Sequence, residues 1–490
     1  MSSTSPIGAG APPASAARLA WLDALRGLGA VAVMLEHLLP WFMPSLRPYW
    51  FNLGMYGVLV FFLVSGYIIP VSLERRGDVR AFWISRVFRL YPIYLLVVAG
   101  VLVAAIWMPV REQVPRDLSS VFAHATMLLD VVHRGGLADT MWTLSYEMVF
   151  YLVVTALFVG GAHRASGTIA VAFGTVAVVA GLVLTGPLLQ GPWPALVSGP
   201  VFLAGLACLV GGRFRRSAAY VLGAMALVLL LFSGFVPWLG AVILAVMFAG
   251  TAIRRWEEGA GGLVPVAATA VLVGVTPVWA PQAGWWWVQP GPWLATMVLA
   301  GATFAGGMAL RGRELPRFLV WLGLVSYSVY LLHHPLLRIF HAVVGDVRAA
   351  GQAVQLLLSA VFVLTVLGLS LLTYRYVELP MQRLGRRLAR GAAAGNAGGA
   401  GGAEGATAAG STNGTNGTDG TDGTDGAAAA GNAGGAGGAA PGPPSSGDGA
   451  REPSCETAGQ EPSAGDCAKS SGSPVGESEV RPSSFSEPTG

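Results

Sequence analysis

Apolar residues run in blocks of about twenty along the chain, from Trp21 to Tyr376, separated by short polar joints. Blocks of that length match the hydrocarbon core of a bilayer. They predict helices over 20–39, 53–72, 90–108, 141–160, 168–187, 195–211, 217–234, 236–252, 262–279, 293–310, 317–340 and 353–376. The segments between 195 and 252 are short, so the number of spans is about ten to twelve. The expected fold class is all-α, a polytopic transmembrane helix bundle. From Gly391 onward the pattern stops. Gly, Ala, Ser and repeated TNG and TDG triplets replace the apolar blocks, and nothing there builds a core. The expected organisation is an unstructured start over 1–17, a membrane domain over 18–390 and a disordered low-complexity tail over 391–490.

Composition sharpens this picture. Of 490 residues, 53% are hydrophobic and only 11% charged, well below the charge content of soluble domains. The net charge of +4 is small and the arginines sit in separate clusters, which argues against nucleic-acid binding. The first seventeen residues lack a basic n-region, so no cleaved signal peptide is expected. Three cysteines, Cys208, Cys455 and Cys467, have no spacing suited to zinc or a disulfide framework.

Charge asymmetry orients the bundle. With the N-terminus in the cytoplasm, clusters such as Arg75, Arg76 and Arg80, or Arg311, Arg313 and Arg317, fall inside, and few arginines fall outside. The positive-inside bias therefore puts both termini in the cytoplasm of a multi-pass cell-membrane protein. The uncharged outer segment from Trp279 to Trp293 reads equally as an interfacial aromatic belt or a packed loop.

Four stretches carry polar groups at membrane depth, where ionisable side chains usually mark a site. The first helix holds Asp23, Arg26, Glu36 and His37. Arg26 and His37 are eleven residues apart, close to three helical turns, so they share a stripe with a separation of roughly 16 Å. Glu36 faces a different neighbour. In FWISRVFRLYPIY, Arg86 and Arg89 share a face at the inner boundary and suit phosphate groups. An ordinary positive-inside flank is the plainer alternative. In MWTLSYEMVFY, Glu147 has no basic residue nearby in sequence, so it takes a partner from another helix or a proton. In WLGLVSYSVYLLHHPLL, Ser326, Tyr330, His333 and Leu337 share one face, while His334 diverges from His333, which weakens a metal reading of the pair. Glu378, between Arg375 and Arg383, reads as half of an ion pair at the inner surface. By depth, His37, Glu147 and His333 belong to an outer cluster, above Arg26, Arg86 and Arg89.

Taken in order, LDALRG with His37, FFLVSGYII, SRVFRLYP, WTLSYE and LGLVSYSVYLLHHP resemble the acyltransferase-3 family of membrane O-acyltransferases, over roughly 18–390. The resemblance implies acyl-coenzyme A as donor substrate, with no tightly bound cofactor and no metal. It implies a carbohydrate or glycosylated small molecule as acceptor, surrounded by membrane lipids. By the same likeness, His37 matches the catalytic histidine, and Glu147 and His333 match the family's other polar site residues. Arg86 and Arg89 match the inner-face pair that meets the coenzyme A phosphates, and Arg26 matches the arginine of the first helix, which either stabilises developing negative charge or holds the pantetheine arm of the donor. His334 stands where the family often has tryptophan, and the fused esterase-like domain of some members has no counterpart here. A secondary transporter is the alternative reading, weakened by the lack of likeness between the two halves.

Overall fold

A computed structural model describes residues 14–108, 114–279 and 285–390. The tail expected to be disordered, 391–490, lies outside the described residues. Thirteen α-helices and no strand occur among the described residues. The first, α1 (Ala14–Phe42), begins inside the stretch expected to be unstructured, of which residues 1–13 lie outside the described part. It is followed by α2 (Leu53–Arg76), α3 (Val79–Ala104), the short α4 (Leu118–Thr126) and α5 (Trp142–Val159). Then come α6 (Ser166–Val183), α7 (Trp193–Gly211), α8 (Arg215–Phe232), α9 (Pro237–Glu257) and α10 (Val264–Val275). The set closes with α11 (Pro290–Ala309), α12 (Arg317–Val344) and α13 (Gln352–Thr373), which continues through a π-helical turn, Tyr374–Glu378, as helical backbone to residue 390.

All twelve expected helices are present, and ten helices are long and apolar enough to cross a membrane. The other two fall short for different reasons. α1 is diluted by its charges, and α10 is only 12 residues long. α9 is apolar on every side over 237–250 and is almost wholly buried there. α3, α6, α11 and α13 present most of their surface outward, as lipid-facing helices do.

Close helix crossings set the frame, and glycines make the tightest of them. A Cβ at Gly323 of α12 would lie 1.9 Å from the Asp23 carbonyl oxygen of α1, and one at Gly66 of α2 would lie 1.8 Å from the Met247 carbonyl oxygen of α9. Backbones touch at both points, the small-residue solution to packing where lipid gives helices no hydrophobic reason to associate. The first crossing fixes α1 against α12, its most extensive neighbour.

Two elements differ from expectation. The third helix starts at Val79, not near 90. Gly77, in the left-handed region (φ 63°), ends α2, and the Asp78 carboxylate accepts from the Arg80 and Ala81 amides to start α3. Capping thus overrode the hydropathy signal, and Arg86 and Arg89 lie two to three turns inside a helix. α4 was not expected at all. Asp117 caps it through the Ser120 amide.

Candidate active site

α1, α3, α5 and α12 bring the polar residues of the membrane domain into two adjoining groups. The first surrounds a narrow pocket of about 80 Å³, lined by Arg26, Arg86, Arg89, Glu147, Thr143, Tyr327 and Tyr330, with apolar walls from α2 that include Phe61. Three arginines against one carboxylate leave the lining cationic. Arg86 is buried. Its guanidinium donates to Ser72 Oγ at 3.3 Å and lies over the Phe82 and Tyr151 rings, 5.2 and 5.5 Å from their centroids. Neither Arg86 nor Arg89 is a flank at the bundle surface, contrary to the plainer expectation.

Glu147 belongs to this group. It accepts from the Tyr151 hydroxyl one turn further along α5 and faces the three arginines. It lines the arginine pocket and not the histidine pair, contrary to expectation, so the cationic groups it faces come from α1 and α3. One turn before it, Thr143 donates to the Thr140 carbonyl at 3.2 Å and receives the Tyr330 hydroxyl at 2.6 Å. Tyr327 donates to the Leu90 carbonyl at 2.9 Å, tying α12 to α3.

Glu378 is also corrected. It is not an ion-pair partner at the inner surface. The π-helical turn directs it inward, where it is buried and accepts from Ser328 Oγ and Gln382 Nε2, both at 3.0 Å.

The second group is a set of imidazoles. His37 Nδ1 lies 2.8 Å from the Val33 carbonyl and 3.3 Å from His333 Nε2, and His333 Nδ1 lies 3.0 Å from the Val329 carbonyl. A carbonyl only accepts, so each Nδ1 carries the proton. His333 Nε2 is then an acceptor for His37 Nδ1–H, and His37 Nε2 keeps a free lone pair. His333 is fully buried and His37 half-buried. Tyr330, one turn before His333, joins the groups. It lines the pocket, and its ring centroid is 6.0 Å from that of His333.

Asp139, which carries no signal in the chain, places Oδ2 2.8 Å from His334 Nε2. Tyr327 reads in the sequence as an ordinary core aromatic. Glu36 does face another neighbour. It accepts from Arg47 at 2.8 Å, Asn52 Nδ2 at 3.3 Å and the Leu53 amide at 3.1 Å, which pins the start of α2 over the histidine end of the bundle. In the tryptophan segment, Trp287 is buried, so that part packs into the protein.

Comparison with known proteins follows the same residues. The model of the Acyl_transf_3 family, described as an acyltransferase domain, matches residues 19–375. Acyltransferase MdmB of Streptomyces mycarofaciens is 25% identical over 355 residues, covering 69% of this chain and 83% of that protein. The putative membrane-bound transacylase BcsY of Komagataeibacter xylinus is 26% identical over 325 residues, 59% of this chain and 78% of that one. O-acetyltransferase OatA of Staphylococcus aureus (strain NCTC 8325 / PS 47) is 22% identical over 395 residues, 74% of this chain but only 57% of its own length. No solved structure matches.

Proposed function

Since the chain belongs to the acyltransferase-3 family of membrane acyltransferases, we propose that it transfers an acyl group, acetyl in the simplest case, from acyl-coenzyme A to a hydroxyl of a carbohydrate or glycosylated small molecule. The observation that carries this reading is the junction of the arginine-lined pocket with the histidine pair through Tyr330. The pocket has room for a thread, not a bulky ligand, and a pantetheine arm is a thread. Arg86 and Arg89 meet donor phosphate from the cytoplasmic side, with Arg26 further along the arm. Glu147 holds the arginines in place by charge and takes no proton from the reaction.

His37 Nε2 is the general base. It removes the acceptor hydroxyl proton as the oxygen attacks the thioester carbonyl, forming the new C–O bond. The tetrahedral intermediate then breaks its C–S bond. The thiolate leaves and takes the proton back from the imidazolium, giving an ester and free coenzyme A. His333 receives His37 Nδ1–H and keeps the ring in the tautomer that this step needs.

Mass spectrometry of surface glycans and secondary metabolites, with and without the gene, tests the proposal. The expected result is a species heavier by one acyl unit only when the gene is present. Substrate uptake with no acylated product would favour the transporter reading instead.

A further inference from the structure

His334 takes no part in the step above, yet it is built into the same site. Its ring centroid is 5.4 Å from that of His37, nearly at right angles to it. Nε2 lies 2.8 Å from Asp139 Oδ2, and the side chain is 10% exposed. A carboxylate only accepts, so Nε2 carries the proton and Nδ1 keeps a lone pair. That Nδ1 is buried and has no hydrogen-bond partner. Buried polar atoms are nearly always satisfied, so this orphan beside the proposed base calls for a donor, and no described side chain supplies one. Asp139 comes from the 3-10 turn Asp139–Met141 that opens α5, so the helix that brings Thr143 and Glu147 to the pocket also sets the tautomer of His334.

We propose that His334 Nδ1 accepts a hydrogen bond from a second hydroxyl of the acceptor. The adjacent reacting hydroxyl is thereby placed at His37 Nε2, and Asp139 acts as the positioning residue that holds the neutral ring in its Nε2–H tautomer, with Nδ1 as the acceptor. The acceptor class is therefore a vicinal diol, not an isolated alcohol. This inference rests on the hydroxyl-acylation reading above.

The test uses the purified full-length protein, acetyl-coenzyme A, and two probes that differ by one hydroxyl, cis-1,2-cyclohexanediol and cyclohexanol. The wild type is expected to favour the diol in kcat/KM by about three- to tenfold, the worth of one hydrogen bond. In Asp139→Asn and His334→Phe that ratio falls to near one, chiefly through KM for the diol, and Asp139→Glu restores part of it. A merely structural defect lowers both rates and leaves the ratio, so an unchanged ratio in the variants overturns the proposal, as does a wild type without diol preference. If neither probe is acylated, nitrogen-15 histidine spectra decide. A His334 Nδ1 resonance that shifts with the diol and not with cyclohexanol supports the binding site while the transfer reading fails. No shift overturns both.

Discussion

In the proposed mechanism the chemistry turns on His37, because its neighbours fix where its proton sits. With Nδ1–H committed to the Val33 carbonyl and His333 Nε2, only Nε2 is available as a base. His37→Ala is expected to lower acyl transfer by about 10²- to 10⁴-fold with an unchanged melting temperature in detergent. Full activity in that variant removes the mechanism. Arg89→Lys is expected to raise KM for acyl-coenzyme A several-fold and leave kcat nearly intact, because an ammonium loses the two-pronged grip on phosphate. A steady-state titration of the donor separates the two parameters. The eleven-residue spacing of Arg26 and His37, and the motifs around Arg86, Glu147 and His333, made these residues legible in the sequence. The grouping of Glu147 with arginines was not legible, since it depends on the lateral placement of α3 and α5, on which hydropathy is silent. Asp139 was hidden for a related reason. It sits in a loop-like turn, 195 positions from His334 in sequence, with no periodicity to flag it.

Elements hold their places through backbone contacts and caps more than through the length of their apolar runs. Gly323→Val pushes a side chain into the Asp23 carbonyl, an atom that cannot move aside without shifting α1. The expected cost is about 3 kcal/mol or more, visible as a lower melting temperature and poor yield. A variant as stable as the parent would show that α1 and α12 do not touch there. The joint between α4 and α5 carries a different liability. Asp130 is buried and accepts from the Tyr146 hydroxyl, and burial pushes its carboxyl up to about 7. The folded protein therefore keeps a proton that the unfolded chain has released above about pH 4, the ordinary carboxylate range. Its contribution to stability falls as pH rises from there to about 7 and levels off beyond. Asp130→Asn is expected to flatten that part of the melting profile, and melts at pH 5 and pH 7.5 make the comparison. This joint, like the early start of α3, was unreadable from apolar blocks. Asp78 and Asp117 work through one or two hydrogen bonds each, signals that a twenty-residue window averages away.

Among the described residues, Arg75, Arg254, Arg255 and Arg311 meet at one end of the helix bundle through Glu74, Glu257 and Glu258, and His37, His333 and His334 lie towards the other. If the positive-inside bias governs insertion, a cysteine-free background carrying Asp346→Cys will react with a membrane-impermeant maleimide in intact cells, and one carrying Arg313→Cys only after lysis. The reverse pattern would invert the proposed direction of donor entry. The order of the apolar helices could be read from the chain because the bilayer demands about twenty apolar residues of each span, but their number was read only as ten to twelve. Which helices touch is decided by glycines and by buried charges seeking partners across sequence distance, so it could not be read. The crossing of α1 and α12 at Gly323 has a further consequence. Arg26 and His37 ride on one of these helices, and Tyr327, Tyr330 and His333 on the other. The interval between the arginine and the base, about 16 Å by helical rise, is thus a built-in ruler. A donor whose arm is much shorter or longer would bind at the first mark and never present its carbonyl at the second, so discrimination among donors would appear as lost turnover in spite of retained affinity.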